Sequence, residues 1–165
     1  MDVRSGAEIL EQFGLAYFQE LATFGALSDA AIETLLTQGE IHFLAKGEKV
    51  ERFGEPAEDF QVVLTGKTAF YKRGDTCEVL TRYFCPGDQL GFDLMIGLIP
   101  HNGTDVAVED TLWLTIDKAL FSRMHAEHPA DFGLLMINLS RELSREIAIL
   151  EDVLVGAGED TQVAG

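Results

Sequence analysis

GEKVERFGEPAEDFQVVLTGKTAFY, residues 47–71, decides the fold. Its apolar and β-branched residues come in short runs, KVERF, FQVVL and TAFYK. Each run is cut by a turn signal: Lys46-Gly47, Gly54-Glu55-Pro56 and Thr65-Gly66. Successive strand side chains point to opposite faces, so a period of two broken by glycine and proline marks short strands joined by tight reversals. The pattern continues on both sides, with IHFLA before and EVLTRYF, TDVAV and TLWLTI after. These later runs are parted by Arg73-Gly74-Asp75, Pro86-Gly87-Asp88 and Glu109-Asp110. Strands this short and this regular predict an antiparallel roll, jelly roll or barrel over residues 40–116.

Outside that region the period becomes helical. Ile9, Phe13, Tyr17 or Phe18, and Leu21 predict one amphipathic helix over 7–22, and Ser28 caps a second that Gly39 closes. After Ile116, ALFSRMHAEHP predicts a short helix stopped near Pro129. Residues 130–155 then form the longest helix, with a stripe of Met136, Leu139, Leu143, Ile147, Leu150 and Leu154. The reading is a single α+β domain over 1–155: helices 7–39, a β-roll 40–116 and C-terminal helices 117–155. Residues 156–165 are expected to be a flexible tail.

Composition narrows the function. The chain has 165 residues, 47% hydrophobic and 24% charged, enough for one ordinary globular core. No apolar run is long enough to span a membrane and the N-terminus carries no signal core, so no membrane association is expected. Two cysteines are no disulfide framework, so the expected location is cytoplasmic, with buried or half-buried thiols. Twenty-eight acidic against twelve basic residues give a formal charge of −16, which repels nucleic acid; Lys72-Arg73 is the only adjacent basic pair.

Particular motifs carry a resemblance. Residues 47–71 combine a glycine turn, a strand, G-E-P-A, a second strand and a G-K turn. CPGDQLG at 85–91 and TDVAVEDTLWLTIDKALFSRMHAEHP at 104–129 follow in order. Together they resemble the cyclic-nucleotide-binding domains, the catabolite-activator-like β-rolls, over roughly residues 24–155. In that fold Gly47, Gly66 and Gly87 stand at strand junctions that need positive φ. Gly91 would let the backbone approach a ligand at the opening of a short helix.

The resemblance also implies where a ligand would bind. Family members that bind cyclic nucleotide keep a glutamate directly after F-G for the ribose hydroxyl. An arginine nine residues later pairs with the phosphate. Here Leu90-Gly91 matches F-G, Phe92 takes the glutamate place, and His101 takes the arginine place, followed by Asn102, Gly103 and Thr104. Phenylalanine cannot accept a hydrogen bond, and a histidine near pH 7 lacks the guanidinium fork that fits a phosphate. Asp93, in the first turn of the cassette helix, would use the free N–H groups itself and repel an anion. The expected ligand-binding set is therefore Gly91, Phe92, Asp93, Leu94, His101, Asn102, Gly103 and Thr104, with cAMP and cGMP binding lost or weak and no cofactor.

Nothing in the chain reads as catalytic: a nucleophile elbow and phosphate loops are missing, and His125 and His128 lack a third metal ligand. The expected function is a stand-alone regulatory or interaction domain, not an enzyme. The alternative is a small-molecule sensor that still binds a cyclic nucleotide or another ligand. Family members dimerise through the long helix, which implies a homodimer centred on Leu139, Leu143, Ile147 and Leu150. A further protein partner is compatible with the acidic surface; nucleic acid is not.

Overall fold

The structure, a computed structural model, describes residues 1–159. A first strand β1 (Asp2–Arg4) leads into α1 (Gly6–Phe13), α2 (Leu15–Gln19), a 3-10 turn (Ala22–Phe24) and α3 (Asp29–Gln38). The β-rich region holds β2 (Glu40–Leu44), β3 (Lys49–Glu51), β4 (Asp59–Thr65), β5 (Thr68–Arg73), β6 (Glu78–Phe84) and β7 (Gln89–Leu90). It continues through α4 (Phe92–Gly97), β8 (Gly103–Ala107) and β9 (Thr111–Asp117). Two helices close the order, α5 (Lys118–Glu127) and α6 (Pro129–Glu159).

Every strand pair is antiparallel. One sheet runs β1-β2-β9-β4-β7 and the other β3-β8-β5-β6, and they face each other as a roll. The antiparallel β-roll with flanking helices is thus the architecture present. β4 explains how its layers meet. Its pattern FQVVL is apolar without clean alternation because both faces are covered. Phe60, Val62 and Leu64 join the core under the helices, with Ile32, Leu35, Leu114, Ile116 and Leu135. Val63 points the other way, into the roll interior with Leu44, Phe84, Leu90 and Trp113.

Local chemistry places the helices. Ser28 Oγ accepts from the Ala31 N–H at 3.2 Å, and Asp117 caps α5 through the Leu120 N–H at 2.7 Å. The helix expected over 7–22 is instead two, because Gly14 breaks the turn with φ 74°, ψ 154°. β1 and β7 were not anticipated; at three and two residues they carry no periodicity to read. Pro129 stops α5 and opens α6, where its missing N–H has no intrahelical partner to lose.

α6 is anchored to the N-terminal segment and the core along its first half. Asp131 accepts from the Ser28 N–H at 2.6 Å, and Asn138 Nδ2 donates to the Gly25 carbonyl at 2.8 Å. Leu135 and Leu139 are buried in the chain's own core. Leu139 therefore is not available to a dimer interface, and Leu143 is half-buried against the same core. From Ile147 to Gly156 every residue is exposed. The tail expected from 156 is helical as far as Glu159; the remainder lies outside the described residues. No helix among the described residues is long and apolar enough to cross a membrane.

Candidate functional site

The roll encloses a cavity of about 430 Å³. One wall is the four-stranded sheet, where the register aligns Val50, Asp105, Phe70 and Arg82 across β3, β8, β5 and β6. All four line the cavity. Gly103 lets this row pack: a Cβ there would stand 2.5 Å from Phe70 Cζ and 2.3 Å from the Tyr71 carbonyl oxygen. The opposite wall is Gln61, Gln89, Leu90, Gly91 and Leu94, and Glu146, Ile149 and Leu150 of α6 lie across the opening.

The expected site residues divide. Gly91, Asp93, Leu94, His101, Asn102 and Gly103 come together on the cavity. Phe92 does not. Its ring is in the helical core, 5.3 Å from Phe60 and 6.0 Å from Phe121 between centroids, because the first turn of α4 rolls it away from the roll interior. Thr104 also leaves the site: between inward Gly103 and Asp105 it takes the opposite face of β8, donating to Glu78 at 2.8 Å. Asp93 lines the cavity, but it does not cap α4; Gln89 Oε1 accepts the Phe92 N–H at 3.1 Å instead.

His101 is held by its backbone, which donates to the Glu55 carbonyl and accepts from the Gly54 N–H. Its Nε2 is buried without a hydrogen-bond partner. Burial, reinforced by the Arg52 guanidinium, pushes its pKa below the ordinary 6.5, so the ring is neutral at pH 7.

The most organised polar group was missed in the sequence. Arg52 donates to both carboxylate oxygens of Asp59 at 2.8 and 3.0 Å and to Gln61 Oε1 at 3.3 Å, while Gln61 Nε2 closes the ring onto Asp59 at 2.6 Å. Asp105 faces the same space. Its Oδ1 is sealed from solvent without a hydrogen-bond partner, and desolvation pushes its pKa up to about 7 despite the Arg52 charge nearby. Arg82, above the Phe84 ring at 4.7 Å, pairs with Glu142 and Glu146 of α6. Burial raises the Glu142 pKa, with Asp88 adding to the shift and Arg82 opposing it. The available signal was parity: Arg52 follows inward Val50 by two, and Asp105 follows inward Gly103 by two.

Elsewhere, His128 Nε2 is 3.1 Å from Thr34 Oγ1 and His125 packs edgewise on Phe132. Among the described residues no three His, Cys, Asp or Glu side chains cluster to hold a metal. Both thiols are exposed rather than buried: Cys77 and Cys85 stand in loops flanking the edge strand β6.

No family model matches this sequence, and no curated protein does. Solved structures do. A cyclic nucleotide-binding domain from Methylobacillus flagellatus is 16% identical with a TM-score of 0.78, covering 99% of this chain and 90% of that one. The catabolite activator protein of Thermus thermophilus is 21% identical with a TM-score of 0.67, over 82% of this chain and 63% of its own. The regulatory subunit of a cAMP-independent protein kinase A from Trypanosoma cruzi, solved bound to guanosine, is 16% identical with a TM-score of 0.68. That match covers 92% of this chain and 52% of the subunit. The fold is that of the cyclic-nucleotide-binding β-rolls.

Proposed function

We propose that this chain is a non-enzymatic regulatory domain that does not bind cAMP or cGMP with useful affinity and acts through its long helix. One observation carries the reading: both arginines on the cavity are held by carboxylates, which leaves exposed Lys72 as the one unpaired Lys or Arg among its described lining residues. Arg52 is committed to Asp59, Arg82 to Glu142 and Glu146, and His101 is neutral, while Lys72 is exposed. Losing the charged partner of a buried phosphate costs roughly 2–5 kcal/mol, about 30-fold or more in affinity. The carboxylates of Asp93 and Asp105 on the same cavity add repulsion. Thermal melts with millimolar cAMP test this. A ligand that binds only the folded state raises the midpoint with concentration; at most a small rise is expected at millimolar cAMP, and a clear rise at micromolar cAMP contradicts the reading.

Self-association through α6 belongs to the same reading. Ile147 and Leu150 are 57% and 61% exposed, in an exposed run of α6 that also holds Ile149, Val153, Leu154 and Val155. A homodimer along this segment would bury them.

A second reading is supported by the cavity itself. At about 430 Å³ it has the size of a small-molecule site, and its wall is apolar with a few convergent polar groups. The kinase regulatory subunit with this fold is solved bound to guanosine, a ligand that carries no phosphate. In this reading the domain is a sensor whose ligand is not a phosphate.

A further inference from the structure

We propose that the cavity is a binding site for a small nitrogenous cation, an amine or amidine on an apolar body, whose N–H groups are accepted by Asp105. The proposal rests on the second reading above and gives it a ligand class. Asp105 stands in the wall row between Val50 and Phe70, two apolar neighbours that offer it no hydrogen. Its Oδ1 has lost solvent and gained no donor. A buried carboxylate in that condition is costly unless a donor reaches it. Arg52, whose charge reaches Asp105, gives its hydrogen bonds to Asp59 and Gln61 instead. His101 Nε2, on the same cavity, also lacks a partner. Two orphaned polar groups in one enclosure, beside the faces of Phe70, Leu90 and Ile149, describe the complement of an amphiphilic molecule rich in N–H.

The sign of the charge follows from the groups around Asp105. The cations are Arg52 at the end of β3, Lys72 on β5 and Arg82 on β6. Against these three stand five carboxylates: Asp93 and Asp105 on the cavity, Asp59 bound to Arg52, and Glu142 and Glu146 bound to Arg82. The enclosure favours a cation over an anion by this balance. Binding should weaken as pH falls below about 7, where Asp105 takes up a proton and loses its charge.

Benzamidine, a flat amidinium on a phenyl ring, and benzoate, its anionic counterpart of similar shape, are the probes. Calorimetry and thermal melts of the whole chain near pH 8 should show benzamidine binding and benzoate not. Asp105→Asn, close to isosteric, should weaken benzamidine about tenfold or more, the equivalent of about 1.4 kcal/mol. Benzoate binding as tightly as benzamidine overturns the proposal, as does benzamidine failing to bind at millimolar concentration or binding the variant equally. Should the variant not fold, the comparison of the two probes on the wild type decides alone. A parallel cAMP titration separates the readings: benzamidine failing while cAMP also stays unbound removes this proposal and leaves the loss of cyclic-nucleotide binding standing.

Discussion

Asp105 and Phe92 show how single positions set the chemistry of this roll. Asp105 is ionised far less readily than the ordinary 3.8, with a pKa of about 7, because folding strips water from it. Below the ordinary value it is protonated in both folded and unfolded chains and costs nothing. As pH rises towards about 7 the unfolded chain ionises first, so stability falls across that window and the penalty is complete above it. Melts of wild type should therefore drop in midpoint from pH 5 to pH 8. Asp105→Asn should flatten that slope and be more stable than wild type at pH 8 by roughly 2 kcal/mol; an unchanged slope would show that the carboxylate is not desolvated as described. At Phe92 the reverse holds. A glutamate placed there to restore the family's ribose ligand would put a carboxylate among Phe60 and Phe121, away from the cavity. Phe92→Glu should cost about 4 kcal/mol or more and leave cAMP binding unrestored, as denaturant unfolding and calorimetry would show.

At the scale of elements, α6 runs from the packed core along the cavity to an exposed end. Its first half is packed, its second half is exposed, and Arg82 on β6 ties the two regions through Glu142 and Glu146. Arg82→Ala leaves the nearly buried Glu142 side chain, 8% exposed, without its cation. We expect a loss of about 1–3 kcal/mol and faster amide exchange along α6 beyond residue 142; exchange rates that match wild type would mean the ion pairs do not hold the helix. Dimerisation is tested where the stripe is free. Ile147→Glu should convert a dimer to a monomer in light scattering without lowering the melting midpoint, and a wild-type monomer mass at micromolar concentration would refute the interface. Leu139→Glu is unsuitable, since it would unfold the core.

At the scale of the whole molecule, the strands other than β1 and β7, their order in the chain and the long helix were legible, because turn residues at Gly47, Gly66 and Gly87 and the period change near Ile116 act locally. What was not legible depends on three-dimensional register. Counting from Gly91 placed His101 correctly on the cavity, but could not tell that α4 turns Phe92 into the core or that β8 turns Thr104 outward. Arg52 and Asp105 lie more than fifty positions apart and share one cavity because β3 pairs with β8. Leu139 and Leu143 share a helical stripe with Ile147, yet the stripe changes from core to surface along its length, which spacing alone does not report. The net charge of −16 acts at this scale too, and sequence-specific DNA binding at physiological salt is not expected. A mobility-shift series finding nanomolar preference for one duplex would reverse that.

Calorimetric titration of the purified chain with cAMP and cGMP at pH 7.5 bears most directly on the proposal that neither nucleotide binds with useful affinity. With Arg52 and Arg82 held by carboxylates and His101 neutral, heats should fit dissociation constants no tighter than the high-micromolar range, if any binding is seen. Any residual phosphate contact by His101 should strengthen only below pH 6.5, as its lowered pKa requires. A dissociation constant in the low-micromolar range or tighter at pH 7.5, for either nucleotide, would contradict it.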